Sequence, residues 1–306
     1  SSACSLPQED NKTTDVISTP KVQEALVTGD ASLIESSAVL QQAIEQISNE
    51  LQTQQTDLLE RLYGNGTIQY APSRHSQFLQ VKELNRAYPI VIGTKGLLLA
   101  AASEKDNQRQ AAFGTNIFNE LNNGNFSEFA QPMKHLLGWL MNRNAAGLPA
   151  QAQVAMLAVS NGTYSNANTW LSNQLEQWQV EHCIESDTLS SCLSDVDLVI
   201  ISTSNTFDST TLSNQISDLK SKSIPVMYVH QDSWNTSGLT PTVLEPMGFF
   251  MQDIGGPGNY FSQDTAQWNH YRDMLDGQSN VPELNALIDR LENDGFSFDI
   301  ANCEEN

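Results

Sequence analysis

The residues of this chain best suited to acid–base chemistry are a histidine and an aspartate two positions apart. His230 and Asp232 come at the end of the apolar segment I-P-V-M-Y-V-H, residues 224–230. An imidazole titrates near neutral pH, and a neighbouring carboxylate can orient it and stabilise its charged form. With a hydroxyl from another loop, the pair would suit a stand-alone hydrolase, and we keep that function as an alternative.

Polar side chains also follow two further apolar segments, residues 154–160 and 197–202. In open α/β sheets, ligands bind beyond the carboxyl ends of the strands, so these side chains are candidates for binding. The predicted binding residues are Ser160, Asn161, Ser204, Asn205, His230, Asp232 and Trp234. Hydroxyls, amides, an imidazole, a carboxylate and an aromatic face suit a sugar or a peptide backbone. The alternative is a set of ordinary polar residues that close the edge of a sheet.

The motifs of the common hydrolases and nucleotide-binding proteins are absent from the sequence. There is no G-x-S-x-G elbow for a nucleophilic serine and no H-E-x-x-H pair for a catalytic zinc ion. Neither glycine-rich phosphate-binding motif, G-x-G-x-x-G or G-x-x-x-x-G-K-[ST], occurs. We therefore predict no catalytic residue, no metal ion and no cofactor in this chain.

Short apolar segments that alternate with amphipathic ones predict the parallel layer that would position these side chains. The predicted strands are 154–160, 197–202 and 224–230, and the predicted crossover helices are 168–178 and 210–222. Parallel strands joined by helical crossovers form right-handed, doubly wound layers. We expect this layer to bring the strand-end residues to one edge of the sheet.

A helical segment and a β-hairpin are predicted before this layer. Apolar residues at steps of three or four predict a helix over residues 31–62. Residues 88–93 and 97–102 predict two strands joined by a turn at 94–96, and residues 109–113 would extend the same sheet.

The charge balance of the chain limits its partners. Acidic residues outnumber basic ones by 36 to 15, which gives a formal net charge of −21. Nucleic acids and anionic membranes attract clustered lysine and arginine, so this balance argues against both. No stretch approaches the roughly 18 apolar residues that span a bilayer, and we predict no transmembrane segment. Residues 1–30 are typical of a flexible leader from which any signal peptide has been removed.

The cysteines indicate an oxidising compartment. The chain has 4 cysteines, which allow three pairings. Cys183 and Cys192 flank a short polar segment, whereas Cys4 and Cys303 lie almost at the two ends. Pairing the near cysteines and the far ones requires the least special geometry, so we predict the disulfides Cys183–Cys192 and Cys4–Cys303. Free thiols or thiols bound to a metal are the alternative.

Four segments resemble the N-terminal region of large secreted bacterial metalloproteases. They are V-Q-E-A-L-V-T-G-D-A-S-L-I (22–34), Y-A-P-S-R-H-S-Q-F (70–78), Y-P-I-V-I-G-T-K-G (88–96) and R-Q-A-A-F-G-T-N-I-F (109–118). The family is the enhancin-like (M60-like), mucin-degrading group that includes accessory colonisation factor D. It carries H-E-x-x-H in a later domain, and this sequence has no such motif. The resemblance implies an accessory N-terminal segment whose protease part lies outside this sequence or is missing altogether.

A second, more distant resemblance is to class I glutamine amidotransferase-like domains. The segment K-S-I-P-V-M-Y-V-H-Q-D-S (222–233) looks like their strand that leads into the nucleophile elbow. Where that pattern has a cysteine flanked by glycine, this sequence has His230 between Val229 and Gln231. The resemblance therefore implies a degenerate domain that keeps the frame without the amidotransferase activity.

Together these features predict an α/β protein with a doubly wound, mostly parallel sheet of the glutamine amidotransferase-like or flavodoxin-like kind. A helical segment and a β-hairpin precede this sheet. The predicted organisation is a leader (1–30), a helical segment with a connector (31–85) and an amidotransferase-like α/β domain (86–306). A sub-boundary near 145–151 is an alternative.

The predicted function is that of a non-catalytic accessory or recognition module in a bacterial metalloprotease system directed at mucins or glycoproteins. Its predicted partners are a glycoprotein or mucin and a downstream protease domain. We expect it to be secreted, or located at the cell surface or in the periplasm. A further alternative is a periplasmic small-ligand binding protein, which would need a second α/β lobe.

Overall fold

The structure is a computed structural model, and most of what it describes lies between residues 51 and 255. The described residues are 20–22, 24–25, 30–34, 51–83, 86–93, 97–142, 147–185, 189–204, 207–231, 237–255, 261–262, 289 and 293.

Eleven strands occur in this part of the chain. They are β1 (Gln69–Tyr70), β2 (Gln77–Val81), β3 (Ala87–Ile92), β4 (Leu98–Lys105), β5 (Gln108–Phe113), β6 (Ala152–Leu157), β7 (Trp178–Cys183), β8 (Leu198–Ile201), β9 (Val226–Val229), β10 (Phe249–Gly255) and β11 (Phe261–Ser262).

The described helices alternate with the strands in the second half of the chain. They include α1 (51–63), α2 (Ile117–Asn122), α3 (Ala130–Met141), α4 (Asn161–Gln174), α5 (Leu189–Cys192), α6 (Ser209–Ser221) and α7 (Thr240–Leu244). Residues 20–22, 24–25, 289 and 293 are also helical. Short 3-10 helices cover Ala31–Leu33, Ser127–Phe129 and Glu245–Met247. Among the described residues, no helix is long and apolar enough to cross a membrane.

The central element is a nine-stranded sheet with the order β10-β2-β4-β5-β9-β8-β6-β7, in which β3 also pairs with β4. The strands β5, β9, β8, β6 and β7 are mutually parallel, whereas β10, β2, β3 and β4 pair in antiparallel fashion. The predicted α/β class, with a mostly parallel sheet and helices, is confirmed. The predicted hairpin is β3–β4, and β5 continues its sheet as expected.

The middle of the sheet is buried on both faces. Every residue of β3, β8 and β9 is buried. Strands that are covered on both faces are continuous apolar runs without alternation. For this reason the runs at 197–202 and 224–230 were recognisable in the sequence as strands.

Strand β7 begins at Trp178, the last residue of a segment that was predicted to be a helix, and its other residues were not predicted as a strand. The predicted crossover helix covered residues 168–178, but α4 ends at Gln174 and β7 begins at Trp178. In β7, Trp178 and Cys183 are buried, whereas Gln179 and Glu181 are exposed. Exposed positions that recur at every second residue are typical of a strand at the edge of a sheet. At Trp178 this two-residue period, and not the helical spacing of the preceding residues, describes the structure.

The predicted helix over 31–62 is described only in part. Residues 51–63 form α1, which confirms its last part, whereas Ala31–Leu33 is a 3-10 helix. Residues 35–50 lie outside the described part of the chain.

The disulfide Cys183–Cys192 is present, as predicted. Its Cα atoms are 5.9 Å apart, and it joins the end of β7 to α5. The predicted pair Cys4–Cys303 lies outside the described residues and stays a prediction.

Candidate functional site

The topology of the parallel strands places a switch point between the ends of β6 and β8. From β6 the chain passes to β7 on one side, and the next strand, β8, pairs with β6 on its other side. The direction of winding therefore reverses between β6 and β8. Such a switch point opens a crevice at the carboxyl ends of the strands, where ligands of open α/β sheets bind. The loops after β6, β8 and β9 carry the predicted binding residues.

The loop after β6 is a tight turn that leads directly into α4. Ala158 has a left-handed backbone with φ 55°, which is uncommon for a residue with a side chain. Two residues later, Ser160 is the N-cap of α4, and its Oγ accepts a hydrogen bond of 3.2 Å from the Thr163 N–H. A serine in this position satisfies one of the free N–H groups of the first helical turn. The Ser160 hydroxyl is thus already used by the fold.

Hydrogen bonds donated by backbone N–H groups connect the three strand-end loops. The Ser160 N–H donates to Gln231 Oε1 at 3.0 Å, which links the loop after β6 to the loop after β9. The Ser204 N–H donates to the Ala158 carbonyl at 2.9 Å, and the Ser202 N–H donates to the Leu157 carbonyl at 3.2 Å. The structure therefore brings the predicted residues Ser160 and Ser204 together at one edge of the sheet.

Two hydroxyl-bearing residues lie beneath this edge. Ser202 and Thr203 are both buried, with exposed fractions of 0% and 2%. In the described part of the chain, the Ser202 Oγ has no hydrogen-bond partner. Asn161 and Ser160 are exposed and Ser204 is half-buried, so the rim of the crevice is polar and accessible.

The side chain of His230 is buried in the fold and is not exposed at the crevice. Its side chain is buried, and its Nδ1 is 2.8 Å from the Tyr228 hydroxyl. Its backbone N–H donates to the Phe113 carbonyl at 3.1 Å, which continues the ladder between β5 and β9. A ring held in this way has little access to a substrate, so the hydrolase alternative gains no support from this residue.

Three of the predicted binding residues cannot be placed. Asn205, Asp232 and Trp234 lie outside the described residues, so the distance between His230 and Asp232 is not defined. The described residues hold no group of three or more His, Cys, Asp or Glu side chains that could bind a metal ion.

A cleft that was not predicted from the sequence lies at the edge of the sheet where the parallel strands begin, opposite the edge formed by their carboxyl ends. Its volume is about 720 Å³, and it is lined by α1, by Trp139 of α3 and by the turn between β4 and β5. The turn residues Asp106 and Asn107 have φ values of 51° and 65°, as in the tight hairpin turns that favour these residue types. The lining residues are far apart in the sequence, so only the D-N dipeptide between two strand segments signalled part of this cleft.

The chain has similarity to one protein family and to solved structures. A family model described as "Immunomodulating metalloprotease N-terminal domain" matches residues 58–260, which is more than half of the 306-residue chain. The immunomodulating metalloprotease of Pseudomonas aeruginosa is 26% identical over 241 residues, which cover 78% of this chain and 25% of the relative. The chain thus spans about a quarter of the length of this curated relative.

Three solved structures share the fold. "IMPa metallopeptidase from Pseudomonas aeruginosa" has a TM-score of 0.61 at 24% identity and covers 83% of this chain and 27% of its own. "IMPa metallopeptidase in complex with T-antigen" has a TM-score of 0.63 at 22% identity, with 85% and 31% covered. "Structure of IMPa from Pseudomonas aeruginosa in complex with an O-glycopeptide" has a TM-score of 0.61 at 26% identity, with 78% and 26% covered.

These matches confirm the predicted resemblance to the N-terminal region of a bacterial metalloprotease. The chain belongs to the immunomodulating metalloprotease N-terminal domain family.

Proposed function

We propose that this member of the immunomodulating metalloprotease N-terminal domain family is a non-catalytic recognition module of a glycoprotein-directed metalloprotease system. The observation that carries the proposal is the family match over residues 58–260 of a chain whose sequence has no H-E-x-x-H motif. Two of the similar solved structures are complexes with T-antigen and with an O-glycopeptide, which supports a glycoprotein as the partner of this chain. A protease domain downstream of the module is the second partner in this proposal.

The crevice at the switch point supplies suitable chemistry for a glycan or a glycopeptide. Sugars and peptide backbones offer many hydroxyl, N–H and carbonyl groups, which hydroxyl and amide side chains can match. Asn161 is exposed at the start of α4, Ser204 is half-buried beside it, and Trp234 would add an aromatic face. The three linked loops limit the conformational freedom of this surface, which lowers the entropic cost of binding.

We further propose that the sheet is an amidotransferase-like or flavodoxin-like frame that serves as a scaffold. Counted from β6, the order β7-β6-β8-β9 is 2-1-3-4, which is the beginning of the flavodoxin-like order, and β5 fills the fifth place. Because β5 precedes β6 in the chain, the connection of the fifth strand differs from that order. The proposed α/β domain is residues 86–306, and β2 joins its sheet from the preceding connector.

The module is proposed to work outside the bacterial cytoplasm, secreted or at the cell surface. The Cys183–Cys192 disulfide supports this location, since disulfides persist mainly in oxidising compartments. The proposed target of the whole system is a mucin or a mucin-like glycoprotein.

The proposal is tested by retention of the chain on an immobilised, O-glycosylated mucin. We expect Asn161→Ala and Trp234→Ala to weaken retention about tenfold each, since the proposed contacts would lose hydrogen bonds or stacking. Asn173→Ala is the matched control, because Asn173 is exposed at the other end of α4. Equal retention of all three variants and the wild type would move the binding surface away from this crevice. A wild type that binds no mucin would overturn the proposed function.

A further inference from the structure

The cleft at the opposite edge of the sheet combines two arginines with acceptor groups. Arg61 of α1 and Arg109 of β5 both line it, and the chain has only 15 basic residues among 306. Lys105 lines it as well, but its Nζ is paired with Glu83 Oε1 at 3.0 Å. The other polar groups that the argument uses are Gln54, Asp57, Asp106 and Asn107. A cleft of about 720 Å³ is large enough for one or two sugar residues, because ligand sites of this kind span about 300–1,000 Å³.

Arg109 is fixed in place by the fold. Its Nε donates to Glu104 Oε2 at 3.2 Å, and its Nη1 donates to the Trp139 carbonyl at 2.7 Å. Its guanidinium also lies 4.5 Å from the centre of the Trp139 ring, at the distance of a cation–π contact. Arg109 therefore places a positive charge at a fixed position in the lining of the cleft. The negative charge of Glu104 is balanced by this arginine.

Arg61 carries a charge that the described residues do not balance. Its side chain is half-buried, and its buried Nη2 has no hydrogen-bond acceptor among the described residues. Asp57 lies one helical turn earlier, yet the two form no ion pair in the described structure. Burial, and then the like charge of Arg109, lower the pKa of the Arg61 guanidinium below its ordinary value. Two neighbouring guanidiniums without a shared anion are unfavourable, and a bound anion would relieve this repulsion.

The remaining lining groups restrict which anion fits. Asp57 and Asp106 are carboxylates that accept hydrogen bonds from hydroxyls, and Asn107 carries an amide. Gln54 Oε1 already accepts from the Tyr88 hydroxyl, so Gln54 offers its amide N–H groups as donors. The same carboxylates would repel a phosphate group of nearly two negative charges. A ligand with a single carboxylate and several hydroxyls matches these lining groups. Its carboxylate would pair with the guanidinium of Arg61, and its hydroxyls would bond to the carboxylates and amides of the protein.

We propose that this cleft binds the carboxylate of an acidic sugar, such as a sialic or uronic acid, with Arg61 as the anion-binding residue. This inference rests on the proposed function, since a glycoprotein would present such a sugar. It adds a second binding surface to the module, at the edge of the sheet opposite the switch-point crevice.

The test is calorimetric titration of the whole chain with the methyl glycoside of sialic acid. The methyl ester of the same glycoside keeps every hydroxyl and removes the charge, so it is the matched ligand control. We expect the acid to bind and Arg61→Gln to weaken it about tenfold or more, since a charge-assisted bond is lost. Arg74→Gln is the matched protein control, because Arg74 is exposed outside the cleft, and it should bind as the wild type does.

Equal binding of acid and ester, or of Arg61→Gln and Arg74→Gln, would overturn the inference, and so would binding of neither ligand. Should Arg61→Gln fold poorly, nuclear magnetic resonance of the wild type gives the answer, with shifts expected at Asn107 and Gln54 on addition of the acid. Absence of those shifts also overturns it.

Mucin retention before and after sialidase treatment separates this inference from the proposed function. If neither sialidase treatment nor Arg61→Gln changes retention, the acidic-sugar site in the cleft is contradicted, but the proposed recognition module is not. Absence of retention in every case contradicts the module itself.

Discussion

Ser160 shows how a residue predicted to bind a ligand can be committed to the fold instead. Both of its polar groups near the crevice are engaged: the N–H with Gln231, and the Oγ with Thr163 at the start of α4. Its side chain was chosen from the sequence because hydroxyls at strand ends suit ligands. The same position is also where a helix needs an N-cap, and the sequence alone does not distinguish the two roles.

We predict that Ser160→Ala destabilises the chain by about 1 kcal/mol through loss of this cap. Asp208→Ala removes the corresponding cap of α6, where the carboxylate accepts from Thr211, and should cost a similar amount. Urea unfolding measures both. If Ser160→Ala leaves the unfolding midpoint unchanged but abolishes retention on mucin, the hydroxyl acts as a ligand contact and not as a cap.

Tyr63 provides a pH-dependent prediction. Its hydroxyl donates to the Ile90 carbonyl at 2.7 Å, and burial raises the pKa of Tyr63 above the ordinary value of 10.0. A folded-state pKa above the unfolded one favours the neutral form in the folded state. The stabilising contribution is therefore complete below about pH 10 and is lost as the pH rises further.

The measurement is the stability of the wild type and of Tyr63→Phe between about pH 8 and pH 12. Near neutral pH the wild type should be more stable by about 1 kcal/mol, owing to its extra hydrogen bond. This advantage should shrink above about pH 10, because only the wild type must keep a buried phenol protonated. A difference that stays constant over the whole range would contradict a raised pKa at this residue.

At the scale of elements, strands were predictable where burial is complete and not where it alternates. The strands β8 and β9 are continuous apolar runs, and both were predicted within a few residues of their bounds. The edge strand β7 has exposed residues at alternate positions, and its sequence W-Q-V-E-H-C was not predicted as a strand; the helix predicted over 168–178 overlaps it at Trp178. The strand β10 starts directly after Gly248, whose φ is 88°, and its short apolar run F-F-M was not predicted as a strand.

The same limit applies to the candidate site. The sequence placed Ser160 and Ser204 at neighbouring strand ends, because the carboxyl ends of parallel strands share one edge of a sheet. It did not bring Arg61 and Arg109 together, since one lies on α1 and the other on β5. Their proximity depends on how a helix packs over a hairpin, which has no signature in local sequence periodicity.

Gly114 is the residue on which the junction of β2, β4 and β5 depends most directly. Its N–H donates to the Leu99 carbonyl, and its carbonyl accepts from the Gln77 N–H, each at 2.7 Å. A Cβ added at Gly114 would lie 1.8 Å from the Gln77 backbone oxygen, which no side-chain rearrangement can relieve.

We therefore predict that Gly114→Ala costs about 3 kcal/mol or more, or prevents folding. Gly162→Ala is the matched control, since the nearest atom to its added Cβ is 4.0 Å away. In the first turn of α4 that change should raise stability by less than about 1 kcal/mol. Comparable unfolding midpoints for the two variants would show that the sheet junction tolerates a side chain.

At the scale of the whole molecule, a single sheet carries two surfaces of different character. The carboxyl ends of β6, β8 and β9 form a crevice of hydroxyls and amides, and the opposite edge of the sheet carries the guanidinium cleft. The chain has a net charge of −21, so a local pair of arginines differs in charge from the rest of the molecule and is a site that would attract an anion. Both surfaces belong to the recognition role that we propose for this chain.

The disulfide stabilises the part of the molecule next to the crevice. It closes a short loop between β7 and α5, with a sequence separation of 9. Removing it by Cys183→Ala with Cys192→Ala should cost about 2–3 kcal/mol on the loop-entropy estimate. The check is urea unfolding of the double variant beside the wild type, with and without reductant. An unchanged midpoint would mean that β7 is held by its pairing with β6 alone.

The central claim, recognition of glycoprotein without catalysis, is tested most directly by biolayer interferometry with a matched pair of peptides. One peptide carries an O-linked glycan, the other is the same peptide without it, and the chain is titrated over both in a buffer that contains zinc ions. The account predicts binding to the glycosylated peptide only, with the peptide intact after long incubation. Equal binding to both peptides, binding to neither, or cleavage of the glycosylated peptide would contradict it.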